Sequence, residues 1–322
     1  MEGTPKKDIV SDSGTSFVID FFKVSRPGWW IVTAWLYVAP AKSLDFPFWP
    51  GLLYACLPLN VIVYGLNDYA DVEVDVTNTR KGNLIFGPKG MQRPRLRKLL
   101  EAAILCTLIP LLMWSYIRQE ITQYLVWYAL VILINCAYNL NSFGHCSENG
   151  PFEVPVVFFG FTLVTVLSYW LNGNGKNDLW GYQPASDSDD STTMKLFGCN
   201  YRYWIHLWFL VCRTQLWTEY MDYESDRAHK RGTTLAKLPS KNLARLVVLA
   251  VLIAEATWNW RQYEVVDEWQ TIFLFSLLGV GSFIGMDFAP LKSSSFMLVA
   301  LVQSAGGLWL IQDCWQKQVF VS

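Results

Sequence analysis

Charged residues are scarce in this sequence. Asp, Glu, Lys and Arg make up 16% of its 322 residues, where a soluble domain carries about a quarter. The shortage is uneven: residues 46–67, 121–147, 154–175, 269–286 and 293–312 contain none at all. Histidine is rarer still, with three copies and no pair at metal-ligand spacing. The seven cysteines form no Cys-x-x-Cys pair, which excludes the usual zinc and disulfide frameworks. Lying mostly in apolar runs, they read as small buried hydrophobes. The net charge is −1 and no basic stretch is interleaved with aromatics, so nothing points to nucleic acid. The polar start MEGTPKKDIVSDSGTS has no apolar h-region, so no cleaved signal peptide is expected.

What fills the sequence instead is apolar. Hydrophobic residues make up 52% and aromatics 16%. Each charge-free run is long enough, or nearly so, to cross a membrane, which takes about 20 residues of helix. Shorter runs near 28–43, 98–117, 203–219 and 243–260 bring the expectation to nine transmembrane helices. Sixteen Trp, many at run ends, fit interfacial belts. SFVIDFFKVSR (16–26) reads as an amphipathic helix lying on the membrane surface. The loop between spans two and three holds Arg80, Lys81, Lys89, Arg93, Arg95, Arg97 and Lys98, and that between spans six and seven is similarly basic. The positive-inside rule then places the N-terminus and both basic loops in the cytoplasm. The Gly-, Ser- and Asp-rich segment 172–200 falls on the opposite side and reads as a flexible insert.

Acidic residues are the exception to the shortage. Residues 67–75 read NDYADVEVD, directly after the run 46–67. At a constant offset of 151, Asp68, Tyr69, Asp71, Glu73, Asp75 and Arg80 match Glu219, Tyr220, Asp222, Glu224, Asp226 and Arg231. On a helix, Asn67, Asp71 and Asp75 share one face with Asp68, and Asp222 and Asp226 share one with Glu219. Like charges at i, i+4 repel by ~0.2–0.5 kcal/mol per pair, so such clusters point to bound cations. Oxygen ligands of this kind suit Mg2+, which takes one or two carboxylates, keeps some waters and bridges to substrate phosphates. The metal candidates are Asp68, Asp71, Asp75, Glu219, Asp222 and Asp226. The basic residues after each cluster, Arg80 and Lys81, then Arg227, Lys230 and Arg231, would hold phosphate oxygens. Glu73, Glu224 and Tyr69 lie off the shared face and read as ordinary surface residues.

These residues resemble the UbiA superfamily of intramembrane prenyltransferases. Its first motif, NDxxDxxxD, is matched at Asn67, Asp68, Asp71 and Asp75; its second, DxxDxxxD, at Asp222 and Asp226, with Glu219 in place of the leading Asp. SRPGWW (25–30) is similar to the family's Arg-Pro before the first helix, which implies a diphosphate contact at Arg26. TNTRKGN (77–83) and DRAHKRGTT (226–234) are similar to segments that follow each motif. The resemblance implies an all-α membrane protein, nine transmembrane helices around a central cavity, with both Asp motifs on the cytoplasmic side. Residues 1–27 would form a cytoplasmic N-terminus and 28–315 the transmembrane domain, with related halves at about 28–150 and 200–315. The implied cofactor is Mg2+ and the implied partners are an isoprenyl diphosphate, membrane lipids and a small-molecule or lipid acceptor. Catalysis would fall to Asn67, Asp71, Asp75, Asp222, Asp226 and Tyr138.

One segment departs from the pattern. Members acting on aromatic acceptors carry Tyr, a Pro pair and then a basic residue after the fourth helix. Here AYNLNSFGHCSENGPFE (137–153) keeps Tyr138 and has neither the Pro pair nor the Lys or Arg. A quinone-type acceptor is therefore disfavoured. Two readings stay open: transfer of the prenyl group to a small or lipidic acceptor, and cyclisation of farnesyl or geranylgeranyl diphosphate by its own double bonds. A transporter is disfavoured, because its intramembrane acids would sit near the midplane of inverted repeats. Arg213, inside the sixth span, is costly in lipid and would face the cavity or pair with an acid such as Glu255.

Overall fold

The computed structural model describes residues 16–41, 48–76, 78, 81–118, 121–140, 150–172, 196–197, 199, 201–264 and 270–285. Among these residues, regular structure is helical apart from two isolated bridges. Helix α1 (Phe17–Val24) is capped by Ser16, whose hydroxyl accepts from the Ile19 amide at 3.3 Å, the usual way to satisfy a free helix-start donor. Phe17, Val18, Ile19 and Phe22 are exposed, whereas Asp20 is buried against Arg95 at 2.8 Å. That polarity is reversed from a water-facing helix.

After a 3-10 turn at Pro27–Trp29 comes α2 (Trp30–Val38). Helices α3 (Phe48–Tyr54) and α4 (Asn60–Ala70) form one rod through a π turn at Ala55–Leu59. Pro58 lies in that turn; it has no N–H to donate, and a π turn absorbs the missing bond. Short α5 (Val72–Asp75) follows, then α6 (Arg93–Leu105), α7 (Leu108–Arg118), α8 (Thr122–Asn139), α9 (Glu153–Asn172), α10 (Tyr201–Ala228), α11 (Lys241–Tyr263) and α12 (Gln270–Gly285).

Among the described residues, three helices are long and apolar enough to cross a membrane: Phe48–Ala70, Glu153–Asn172 and Lys241–Tyr263; Ile272–Ile284 is apolar but shorter. The run near 98–117 is two helices, α6 and α7. Between them the Thr107 hydroxyl bonds the Ile104 carbonyl at 2.5 Å and the Tyr124 hydroxyl bonds the Thr107 carbonyl at 2.8 Å. Pro110 follows three residues later and cannot donate to the ladder. The last expected span, 293–312, lies outside the described residues, as do His145, Cys146 and most of the insert 172–200.

The distribution of polarity is that of a membrane protein. Large side chains such as Trp49, Leu53, Leu112, Phe159 and Leu246 face outward, while Asn60, Asp68, Asn139, Glu153, Arg213 and Glu255 are buried. Arg213 pairs with Glu255 at 3.0 Å, joining α10 to α11, so that neither charge is buried alone. Helix α9 packs on α2, α8 and α10, and α4 packs on α8. These five helices enclose a cavity of about 290 Å³.

Candidate active site

The first acidic motif sits at the end of α4. Asp71 leaves the helical register (φ −93°, ψ 12°), so the continuous helix expected over 67–75 is broken there. The i, i+4 spacing survives the break: the Asp71 amide bonds the Asn67 carbonyl at 3.0 Å and the Asp75 amide bonds the Asp71 carbonyl at 2.9 Å. Asn67, Asp71 and Asp75 line the cavity. Asp68, 3% exposed, accepts from Arg26 at 2.6 Å and from Lys81 at 2.5 Å, and Lys81 also reaches Asp75 at 2.9 Å.

Two backbone devices aim these cations. Arg26 has a left-handed backbone (φ 50°), held by its amide bond to Lys23 and by the Gly28 amide bonding the Leu84 carbonyl at 3.0 Å. Its guanidinium then lies 4.5 Å from the Tyr64 ring centroid, a cation–π contact. The loop after Lys81 closes over the pair through Gly87 (φ +83°), where a Cβ would lie 3.2 Å from both Arg26 Nε and Asp68 Oδ2. Only glycine suits that turn and that approach. Burial raises the Asp75 carboxyl to about 6, opposed by Lys81 and reinforced by Asp68 and Asp71.

The second motif lies on unbroken α10, where Thr214, Gln215, Thr218, Glu219, Asp222 and Asp226 form one cavity-facing stripe. Here two of the carboxylates take neutral donors. The Leu235 amide donates to Glu219 at 2.8 Å and the Thr233 hydroxyl to Asp226 at 3.1 Å. The helix ends in a Schellman turn: the Lys230 amide bonds the Arg227 carbonyl at 3.1 Å and the Arg231 amide bonds the Asp226 carbonyl at 2.8 Å. Lys230 occupies the left-handed position of that turn (φ 56°). The reversal sends Arg231 back across the cavity to Asp71 at 2.7 Å, with Asp226 at 3.9 Å. One guanidinium thus bridges the two motifs.

Some expected site residues stand elsewhere. Arg227 turns outward to Tyr223 and the carbonyls of Leu238 and Pro239. Lys230 is exposed and does not line the cavity. Arg80 lies outside the described residues. Glu73 and Glu224 are exposed, pairing with Arg93 and Lys241, in keeping with their reading as surface residues. Tyr138 does line the cavity, but its hydroxyl donates to Glu153 at 3.3 Å and lies 3.3 Å from Gln215. Glu153 is 2% exposed, also accepts from Gln215, and keeps Oε2 without a hydrogen-bond partner. Neither Glu153 nor Gln215 belongs to the motifs read from the sequence. Each nevertheless carries a signal: Glu153 is the single acid heading the charge-free run 154–175, and Gln215 stands one turn before Glu219.

The donor set fits Mg2+. Asp68 Oδ2 and Glu219 Oε1 are buried oxygens without hydrogen-bond partners, and carboxylates from both motifs face one cavity. Among the described residues no three acidic, His or Cys side chains form a ready-made cage; Lys81 and Arg231 stand between the carboxylates instead. Mg2+ does not need such a cage, since it works through one or two carboxylates plus waters and substrate phosphates.

An apolar-coated helical bundle with two sequence-related carboxylate arms over one cavity has the UbiA fold. A solved UbiA homologue from Archaeoglobus fulgidus, bound to DMAPP and Mg2+, superposes at a TM-score of 0.54 with 13% identity, covering 91% of this chain and 99% of that one. The apo UbiA homologue from Aeropyrum pernix K1 gives 0.55 with 17% identity over 92% and 99%. In sequence, a lycopene elongase/hydratase of Corynebacterium glutamicum is 36% identical over 121 residues. That stretch is 36% of this chain and spans 40% of the relative. No family model matches the sequence.

Proposed function

We propose that the protein is a Mg2+-dependent intramembrane prenyltransferase that ionises an isoprenyl diphosphate and passes the prenyl group to a small or lipidic acceptor. The observation that carries this reading is the bridge of Arg231 from the second motif to Asp71 of the first. It draws two sets of carboxylates and three cations, Arg26, Lys81 and Arg231, to one end of a largely apolar cavity. Such a mouth suits a diphosphate head carried by metal, and the greasy interior suits its tail.

Asp68, Asp71, Asp75, Asp222, Asp226 and Glu219 would hold the metal, which when bound supplies Lewis-acid neutralisation of the diphosphate. Arg26, Lys81 and Arg231 would release their carboxylates in part and turn to phosphate oxygens, stabilising charge as the allylic C–O bond breaks. Asn67, held by Asn139 at 3.0 Å, would orient the head group. Bundle walls exclude water from the carbocation, and Tyr64, Phe86 and Tyr138 present ring faces or edges to the same space. The architecture proposed is nine spans, with the N-terminus and both motifs in the cytoplasm. The DMAPP, GPP and Mg2+ bound to the Archaeoglobus homologue support the substrate class. The name of the Corynebacterium relative supports a lipidic acceptor.

Cyclisation is the second reading. It is favoured by the segment after Tyr138, which has neither the Pro pair nor the basic residue that members acting on aromatic acceptors carry. Purified protein given farnesyl or geranylgeranyl diphosphate and Mg2+ without acceptor decides between them. Transfer predicts slow turnover until an acceptor lipid is added; rapid formation of a cyclic hydrocarbon would instead establish the cyclase.

A further inference from the structure

The apolar part of the cavity has a measurable depth and a closed floor. Along α9 its lining runs from Glu153 at the carboxylate end to Val164, eleven residues or about 16 Å of helix. Leu36, Leu59 and Val131 line the same inner end and are buried. One turn beyond Val131, the fully buried Trp127 donates its indole N–H to the Leu163 carbonyl at 2.8 Å, locking α8 to α9 beneath the floor. An extended chain advances about 3.5 Å per three bonds, so a four-bond isoprene unit takes roughly 4.7 Å. Three units then need about 14 Å and four about 19 Å.

On the wall between lies Gly160. A Cβ there would stand 3.7 Å from Ile134 Cγ2, so a first carbon fits and any larger side chain must extend into the cavity. Gly160 is seven residues past Glu153, about 10 Å down the helix, at the depth where a third isoprene unit would begin. We infer that the cavity houses a tail of up to three isoprene units, with Gly160 admitting the third and the Trp127–Leu163 floor stopping a fourth. The inference rests on the proposed prenyl-diphosphate reading and names its substrate class as fifteen-carbon.

The test is equilibrium binding of dimethylallyl, geranyl, farnesyl and geranylgeranyl diphosphate, with Mg2+, to the purified full-length protein. Each unit up to the third is expected to tighten binding by about tenfold or more, and the fourth by less than about threefold. Gly160→Leu should cut the farnesyl-to-geranyl affinity ratio by about tenfold, a ratio in which any general loss cancels. Trp127→Ala should restore a gain for the fourth unit. Affinity that keeps climbing through geranylgeranyl in the wild type overturns the inference, as does a Gly160→Leu protein with an unchanged ratio. Length-ordered binding without turnover would sustain the inference and sink the prenyltransferase reading. Turnover without length order would do the reverse.

Discussion

The two acidic arms carry the same spacing of carboxylates and neutralise it by different means. In the first, Asp68 and Asp75 are held by full charges on Arg26 and Lys81. In the second, Glu219 and Asp226 accept from an amide and a hydroxyl. The first arm is also broken at Asp71, whereas the second lies on a continuous helix. Charged partners can be drawn off by an incoming diphosphate; a backbone amide cannot. In the proposed reaction the first arm would be the part that rearranges as substrate and metal arrive, and the second the fixed wall against which they settle. Arg231 ties the two together across the cavity, with Asp71 on one side and Asp226 on the other.

Removing Arg231 should break this arrangement most severely after the aspartates themselves. Arg231→Ala is expected to lower kcat/KM for a prenyl diphosphate by about 10²–10³-fold, the range for losing a donor to developing charge. Arg231→Lys should recover little, because a point charge cannot span both arms. Lys81→Met is expected to cost about tenfold to a hundredfold, mainly in KM for the diphosphate, since Arg26 still faces Asp68. Steady-state kinetics at saturating Mg2+ separates the two effects.

The arms should also differ with pH. Asp75, raised to about 6 by burial, takes up a proton as pH falls through that value, and Mg2+ must then displace it. Apparent Mg2+ affinity is expected to fall by up to about tenfold per pH unit below 6, measured by metal titration of substrate binding. The sign for stability is opposite. The folded state holds this proton more tightly than the unfolded chain, so the metal-free protein loses stability as pH rises from about 4 to 6. Bound Mg2+ should offset that loss. Mutating Asp75→Asn should flatten both dependences.

The smallest effect sharpens the second arm. Lys230 sits in the left-handed position of a Schellman turn, where a side chain costs about 1 kcal/mol and glycine costs little. Lys230→Gly should leave turnover intact and raise thermal stability slightly. A large loss of activity would return Lys230 to the diphosphate site.

That contrast marks the limit of what the residues alone convey. The acidic face is legible in the sequence because helical period and a repeated offset put Asp71, Asp75, Asp222 and Asp226 in register. Lys81 follows from proximity to the motif. Arg227 and Lys230 carry the same charge at the same kind of distance, yet only the turn geometry separates them from Arg231. Long apolar runs locate the helices, while the break at Thr107 depends on a tertiary bond from Tyr124. Glu153 is hidden because a single acid at a run end looks like an interface residue. Its burial beside Tyr138 and Gln215 joins positions 15 and 62 residues away in the chain.

The central claim is that two arms make one site. Its most direct measurement is Mg2+-dependent release of diphosphate from farnesyl diphosphate by the wild type, Asp71→Ala, Asp222→Ala and the double variant. One site predicts that each single change costs at least about 10³-fold and that the double costs scarcely more, because residues acting as a unit are not additive. Turnover that survives either single change, or losses that simply multiply, would contradict it.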